Sequence, residues 1–169
     1  LLARRSLVFV ALLGTLVLVP YTAYRETHIR HHAYMNTPDD WELWPYCDPQ
    51  CSRTFRRGFV WFDLLLGMFA APLIYGRIYF SSKSPLKTPG IRRTIRNEYL
   101  VMLGVWTAVC VALTVNNAWP MYVRAMLIPT LLAGFVQTGR KLTEHLGMTS
   151  YDPLLGTRTV VGKNWLTRL

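Results

Sequence analysis

The chain has 169 residues, of which 51% are hydrophobic, and a formal net charge of +10. Its mean hydropathy is positive, at +0.20, so intrinsic disorder is excluded, and three cysteines are too few for a disulfide scaffold. A membrane protein with basic loops or a basic nucleic-acid-binding protein remains compatible with these figures.

Four apolar segments alternate with basic ones along the chain. The apolar segments are 7–24, 59–80, 99–115 and 118–139. Each has about 20 residues, the length of a helix that crosses the hydrocarbon core of a bilayer. The intervening basic regions are 25–57, 83–96 and 140–168. A nucleic-acid-binding surface would gather its basic residues on one soluble face, so this distribution predicts an integral membrane protein without a nucleic-acid partner.

The first two apolar segments differ from plain membrane crossings. Segment 7–24 contains Gly14 and Pro20, which favour a bent and partly inserted helix. Segment 59–80 contains Asp63, and an ionised aspartate at the centre of a bilayer costs about 2.5–3.5 kcal/mol. We therefore expect segment 59–80 to be an interfacial or re-entrant helix.

The last two apolar segments predict a transmembrane helical hairpin. Only the uncharged turn Asn116–Asn117 separates 99–115 from 118–139. Because basic loops stay on the cytoplasmic side, this turn is expected to face away from the cytoplasm. The predicted fold is therefore an all-α integral membrane protein, with a transmembrane hairpin and interfacial or re-entrant helices.

The three cysteines carry little functional signal. Cys47 and Cys51 form C-D-P-Q-C, which could pair or bind a metal, but no second cysteine or histidine pair lies near them in the sequence. Cys110 lies in an apolar segment, where a buried thiol usually acts as a small hydrophobic side chain. We interpret all three as structural or incidental.

The histidines are the candidates for chemistry. His28, His31 and His32 form H-x-x-H-H after the first apolar segment, and on a helix they project within an arc of about 100°. Neutral imidazole is a common ligand of zinc, copper, iron and nickel, so this pattern predicts a metal site. His145 follows the last apolar segment, and its position alone leaves open both a metal ligand and an interfacial polar side chain.

These residues resemble a known family. The segment 25–32, R-E-T-H-I-R-H-H, followed by Asn36 and the acidic pair Asp39–Asp40, is similar to the second histidine box of the membrane fatty acid desaturase superfamily. Glu144–His145 resembles the segment before the third box of that superfamily. The resemblance covers about residues 20–160.

The resemblance implies a cytoplasmic cap of histidine boxes holding two non-haem iron ions. The implied iron ligands are His28, His31, His32 and His145. The candidates to orient these imidazoles through their other ring nitrogen are Asn36, Asp39, Asp40 and Glu144, with an exposed loop charge as an equal alternative for Asp39. Because four histidines cannot complete a di-iron site, we expect residues 1–169 to be one partial desaturase-like domain. It would be an internal fragment without the first and third boxes, and inactive alone.

The resemblance also implies an activity, which is the O2-dependent introduction of a double bond into a fatty acyl chain. The substrate would be a fatty acyl lipid or an acyl-carrier conjugate, and the electron donor a protein such as cytochrome b5 or ferredoxin. The expected location is the bacterial inner membrane or the endoplasmic reticulum. Stearoyl-type members carry asparagine at the position of Lys141, and this departure leaves the substrate open.

Alternative functions differ in what they require. A hydroxylase or ketolase of the same superfamily would share the histidine pattern. A haem-binding membrane electron carrier would need histidines well inside facing helices, whereas His28 to His32 lie among arginine and threonine at a segment boundary. A non-catalytic membrane scaffold would carry the histidines incidentally.

A shared metal site makes a demand on topology. The histidines at 28–32 and His145 must lie on the same side of the membrane, so an even number of crossings must separate them. Three apolar segments intervene, so one of them does not cross, and 59–80 is the best candidate. Four plain crossings would instead place His28 and His145 on opposite sides.

Overall fold

A computed structural model describes residues 2–145, 148 and 155. All regular elements in these residues are helical, so the expected all-α membrane protein is confirmed. The helices are α1 (Leu2–Leu16), α2 (Tyr21–Tyr34), α3 (Arg53–Phe80), α4 (Pro89–Val115), α5 (Trp119–Tyr122) and α6 (Ile128–His145), with one π-helical turn (Val123–Leu127) between α5 and α6.

The apolar segment 7–24 is two helices and not one. α1 ends at Leu16 and α2 begins at Tyr21, because the chain folds back between them. The amide of Val19 donates to the carbonyl of Gly14 at 2.8 Å, and a Cβ on Gly14 would lie 2.5 Å from the carbonyl oxygen of Val19. Only glycine allows this approach, and Pro20 starts the next helix without needing an amide partner. The bend expected from Gly14 and Pro20 is therefore present.

Helix α3 is sharply bent. The second arm, 69–80, is bent by 118° from the direction of the first arm, 53–67, and Leu66 has non-helical dihedrals (φ −129°, ψ 26°). Pro72 cannot donate to the carbonyl four residues earlier, which lies beside the break, and such a lost bond is a common cause of kinks. This bend is compatible with the interfacial or re-entrant helix expected for segment 59–80.

The hairpin is formed by two helical stretches that are long and apolar enough to cross a membrane. They are Pro89–Val115 and Trp119–His145, each of 27 residues, and a short turn joins them. Their apolar side chains, such as Leu103 and Val136, point outward, as lipid-facing side chains do. α4 begins ten residues before the predicted segment, because its first turns are polar and basic and hydropathy does not mark them.

The core joins α2, α3 and α4, and α6 packs along α3. Buried side chains of the core include Ala23, Ile78 and Ile95, one from each of the three helices. α6 approaches α3 closely at Gly67, where an added Cβ would lie 2.6 Å from Oγ1 of the buried Thr138. The C-terminal end of α6 is thereby placed beside α2.

The contact at Gly67 predicts a pair of opposite stability effects. Gly67→Ala should lower the free energy of unfolding by about 1–3 kcal/mol, because the new methyl overlaps Thr138. Gly58→Ala in the same helix meets no atom within 4 Å and should be neutral or stabilising by up to about 1 kcal/mol. Thermal unfolding of the two variants in detergent measures the difference. Equal stability of the two variants would contradict the close packing of α3 on α6.

Candidate metal centre

Helix α2 gathers the histidine triplet on one face. The ring centroids of His28 and His32 are 4.8 Å apart, those of His31 and His32 5.4 Å, and those of His28 and His31 5.8 Å. This grouping follows from the i, i+3 and i+4 spacing of H-x-x-H-H on a helix.

His145 joins the triplet from the end of α6. Its ring centroid is 4.9 Å from that of His31, with the two rings perpendicular. The fold therefore brings together all four histidines of the sequence, although α3, α4, α5 and the π-helical turn separate His145 from the others along the chain. The two parts lie at the same end of the helices, as a shared site demands.

Asp40 fixes the orientation of His31. Both side chains are buried, and Nδ1 of His31 lies 2.9 Å from Oδ2 of Asp40. The carboxylate also accepts the backbone amides of Asn36 and Leu43, each at 3.2 Å. A carboxylate partner holds the proton of a histidine on Nδ1, so Nε2 of His31 is left as the electron-pair donor for a ligand.

Opposing effects act on the pKa of His31. Burial alone would lower it, but the hydrogen bond and charge of Asp40, together with the charge of Glu42, raise the pKa above its ordinary value. The positive charge of Lys141 works against this rise. The negative charges that favour a proton on this ring would also attract a metal ion, which binds the ring nitrogen that carries no proton.

Glu42 holds His28 in the same way, although the sequence pattern did not single out Glu42. Nδ1 of His28 lies 3.0 Å from Oε2 of Glu42. Nε2 of His28 lies 3.3 Å from Nε2 of His32, and two nitrogens that share one zinc-like ion at about 2.0–2.1 Å are separated by roughly 3 Å. The acidic residues after the box were the available signal, but the spacing does not indicate which of them reaches a ring.

The other residues predicted to orient the imidazoles have different surroundings. Asn36 donates its backbone amide to Asp40 and so supports the partner of His31. Glu144 pairs with Arg140 at 2.8 Å and lies beside His145. Asp39 is exposed and lines a separate surface cleft with Trp41.

The four histidines line a cavity of about 630 Å³. Ala71 and Ile74 of α3 and Thr138 and Lys141 of α6 line the same cavity. Tyr24 stacks on His28 with ring centroids 5.2 Å apart, which limits the rotation of that ring. The cavity therefore combines the histidines with charged side chains and a few apolar ones.

The imidazole nitrogens of the cluster are of the chemical type that binds metal ions. Nδ1 of His145 is buried without a hydrogen-bond partner among the described atoms, and a buried polar nitrogen in that state is costly unless a ligand satisfies it. Imidazoles backed by carboxylates are the usual surroundings of a metal site. In the part of the chain that the structure describes, no three His, Cys, Asp or Glu side chains surround a single ion position.

Comparison with known proteins identifies one family. The model of the family described as fatty acid desaturase matches residues 2–169. No curated protein and no solved structure matches the chain.

The cysteines lie outside the histidine cluster, and none of the three is in a disulfide. Burial, and then the charge of Asp40, raise the pKa of the Cys47 thiol to about 12, and the pKa of Cys51 is raised as well. Protonated thiols are poor metal ligands, since the thiolate is the binding form. Cys110 is exposed on α4, which corrects the expectation of a buried thiol: the apolar face of this helix points outward.

The raised pKa of Cys47 predicts slow alkylation. In a variant that keeps only this cysteine, iodoacetamide at pH 8 should react at least about 100-fold more slowly than in the unfolded chain, because little thiolate is present. The rate should rise about tenfold for each pH unit up to about 12, whereas the unfolded thiol levels off above its ordinary pKa of about 8.5. Mass spectrometry of timed samples measures both rates. Reaction as fast as in the unfolded chain would contradict the buried, protonated thiol.

Proposed function

Because the chain belongs to the fatty acid desaturase family, a family of lipid-oxidising enzymes, we propose that it contributes the histidine-lined part of an O2-dependent acyl desaturase. Residues 1–169 would form a single domain of that enzyme. The observation that carries the proposal is the approach of His145 to His31, since it brings residues from two distant segments to one cavity.

The proposed iron ligands are His28, His31, His32 and His145, which would supply part of the ligand set of a di-iron centre. When bound, the iron ions would supply the O2-derived oxidant needed to remove hydrogen from an unactivated methylene. Asp40 and Glu42 would hold the rings and keep their Nδ1 protons in place.

The cavity would orient the acyl chain and exclude water from the reacting carbons. Ala71 and Ile74, which line the same cavity as the histidines, would provide apolar contacts to that chain. In the overall reaction two hydrogen atoms leave adjacent methylenes, a donor supplies two electrons, and O2 with two protons becomes two water molecules. The substrate would be a fatty acyl lipid or an acyl-carrier conjugate, and the electron donor a redox protein such as cytochrome b5 or ferredoxin.

The proposal is tested by removing one ligand and its partner in the protein expressed from its complete reading frame. His31→Ala should abolish both iron binding and the formation of unsaturated acyl chains. Asp40→Asn should lower iron affinity or activity by about 10–100-fold, because His31 loses the carboxylate that orients it. Asp39→Asn is the matched control, since Asp39 is exposed and lies in another cleft.

Iron content is measured by mass spectrometry and acyl products by gas chromatography. Retention of iron and unsaturated product in His31→Ala would contradict the proposal. A hydroxylated acyl product in the unmodified protein would indicate a hydroxylase, and a haem absorption band would indicate the electron-carrier alternative.

We also propose that the histidine cluster faces the cytoplasm and the Asn116–Asn117 turn faces away from it. Cysteine introduced at Asn116 should react with a membrane-impermeant maleimide in intact bacterial cells, with the native cysteines replaced by serine. Cysteine introduced at Lys87, in a basic loop, should react only after lysis, because basic loops stay inside. The reverse labelling pattern would contradict this orientation.

A further inference from the structure

A buried ion pair lies next to the histidine cluster and has no part in the proposed chemistry. Nζ of Lys141, on α6, is 2.8 Å from Oδ2 of Asp63, on α3. The Asp63 side chain is 3% exposed, and the Lys141 side chain is 29% exposed at the edge of the cavity. A carboxylate so deeply buried needs a partner, and Lys141 supplies the positive charge.

A third group binds the same oxygen. The hydroxyl of Tyr46 donates to Oδ2 of Asp63 at 3.1 Å. Burial and the charge of Asp63 raise the pKa of Tyr46, so its hydroxyl keeps the proton that it donates. Tyr46 belongs to the loop 35–52, which also carries Asp40 and Glu42. The ion pair therefore connects α3, α6 and the loop that orients the histidines of α2.

The position of Lys141 on α6 links the ion pair to the placement of His145. Lys141 lies four residues before His145, about one helical turn, so both side chains are on the same face of α6. α6 packs chiefly on α3, and the close approach of Thr138 to Gly67 lies one turn before Lys141. Contacts with α3 therefore fix how α6 is turned about its own axis, and this rotation directs His145 towards His31.

Other roles for Lys141 fit less well. An ammonium group has no electron pair for a metal, and its charge is already engaged by Asp63. The neighbouring pair Arg140–Glu144 has an arginine that is 69% exposed and lies within one helix, so it cannot fix the position of α6 against another element.

We infer that Asp63 and Lys141 are positioning residues, whose buried ion pair holds the end of α6 so that His145 reaches the histidine triplet. Its relevance to catalysis rests on the proposed function, but the placement of α6 is measurable without any metal.

The test measures the distance between α2 and α6 with spin labels, in the full-length protein purified in detergent without metal. The labels are attached to Ala33→Cys and Thr143→Cys, both at exposed positions, with the native cysteines replaced by serine. Lys141→Met preserves the length of the side chain and removes its charge. We expect the distance distribution to shift or broaden by several Å in this variant, while Arg140→Ala keeps the parent distribution.

Exchange of the two charges provides the decisive comparison. Asp63→Lys combined with Lys141→Asp should restore a narrow distribution, which a residue that merely fills space would not do. Binding of Co²⁺, followed by its absorption spectrum, should weaken at least about tenfold in Lys141→Met and recover in the exchanged pair.

The outcomes separate this inference from the proposed function. An unchanged distance in Lys141→Met, or no recovery in the exchanged pair, would overturn the positioning role. A changed distance in Lys141→Met, with no Co²⁺ binding even by the parent protein, would support positioning and contradict the proposed metal site.

Discussion

The docking of α6 on α3 is the contact on which the site depends. At Gly67 the α3 backbone lies so close to Thr138 that a methyl group does not fit between them. Asp63, one turn earlier, then lies opposite Lys141, and removing one partner of a buried ion pair typically costs about 3–5 kcal/mol. A small residue permits the approach, and the charges select its register. The bend of α3 near Leu66 lies directly beside this contact.

The carboxylates around the triplet combine two tasks. Asp40 orients His31 and also accepts the amides of Asn36 and Leu43, so the same group folds the loop and aligns the ring. His31 and His32 lie in the last turn of α2, where the helix dipole also favours positive charge. A cation bound by these rings would therefore meet negative potential from the helix end as well as from the loop. The hydrogen bonds that fold the loop and the one that orients His31 therefore share a single carboxylate.

The sequence predicted the parts of this arrangement that depend on local spacing. The common face of His28, His31 and His32 follows from helical geometry, and the bend after Gly14 follows from the properties of glycine and proline. Hydropathy marks only the apolar part of a helix, so it did not predict the polar first turns of α4. Glu42 and the pairing of Asp63 with Lys141 could not be predicted, because no periodicity relates residues brought together by tertiary packing. Cys110 was expected to be buried because an apolar segment looks the same whether protein or lipid surrounds it.

The length of the second hairpin arm has a consequence for how a substrate arrives. Twenty-seven helical residues extend about 40 Å, whereas the hydrocarbon core is about 30 Å thick. If this arm is untilted and Trp119 lies at one edge of the hydrocarbon, as tryptophan prefers, His145 would be about 10 Å beyond the opposite edge, at the level of the lipid headgroups. Under the proposed function, an acyl tail would then have to leave the hydrocarbon core to reach the histidines. A water-soluble redox partner, in contrast, could approach the same rings without entering the membrane.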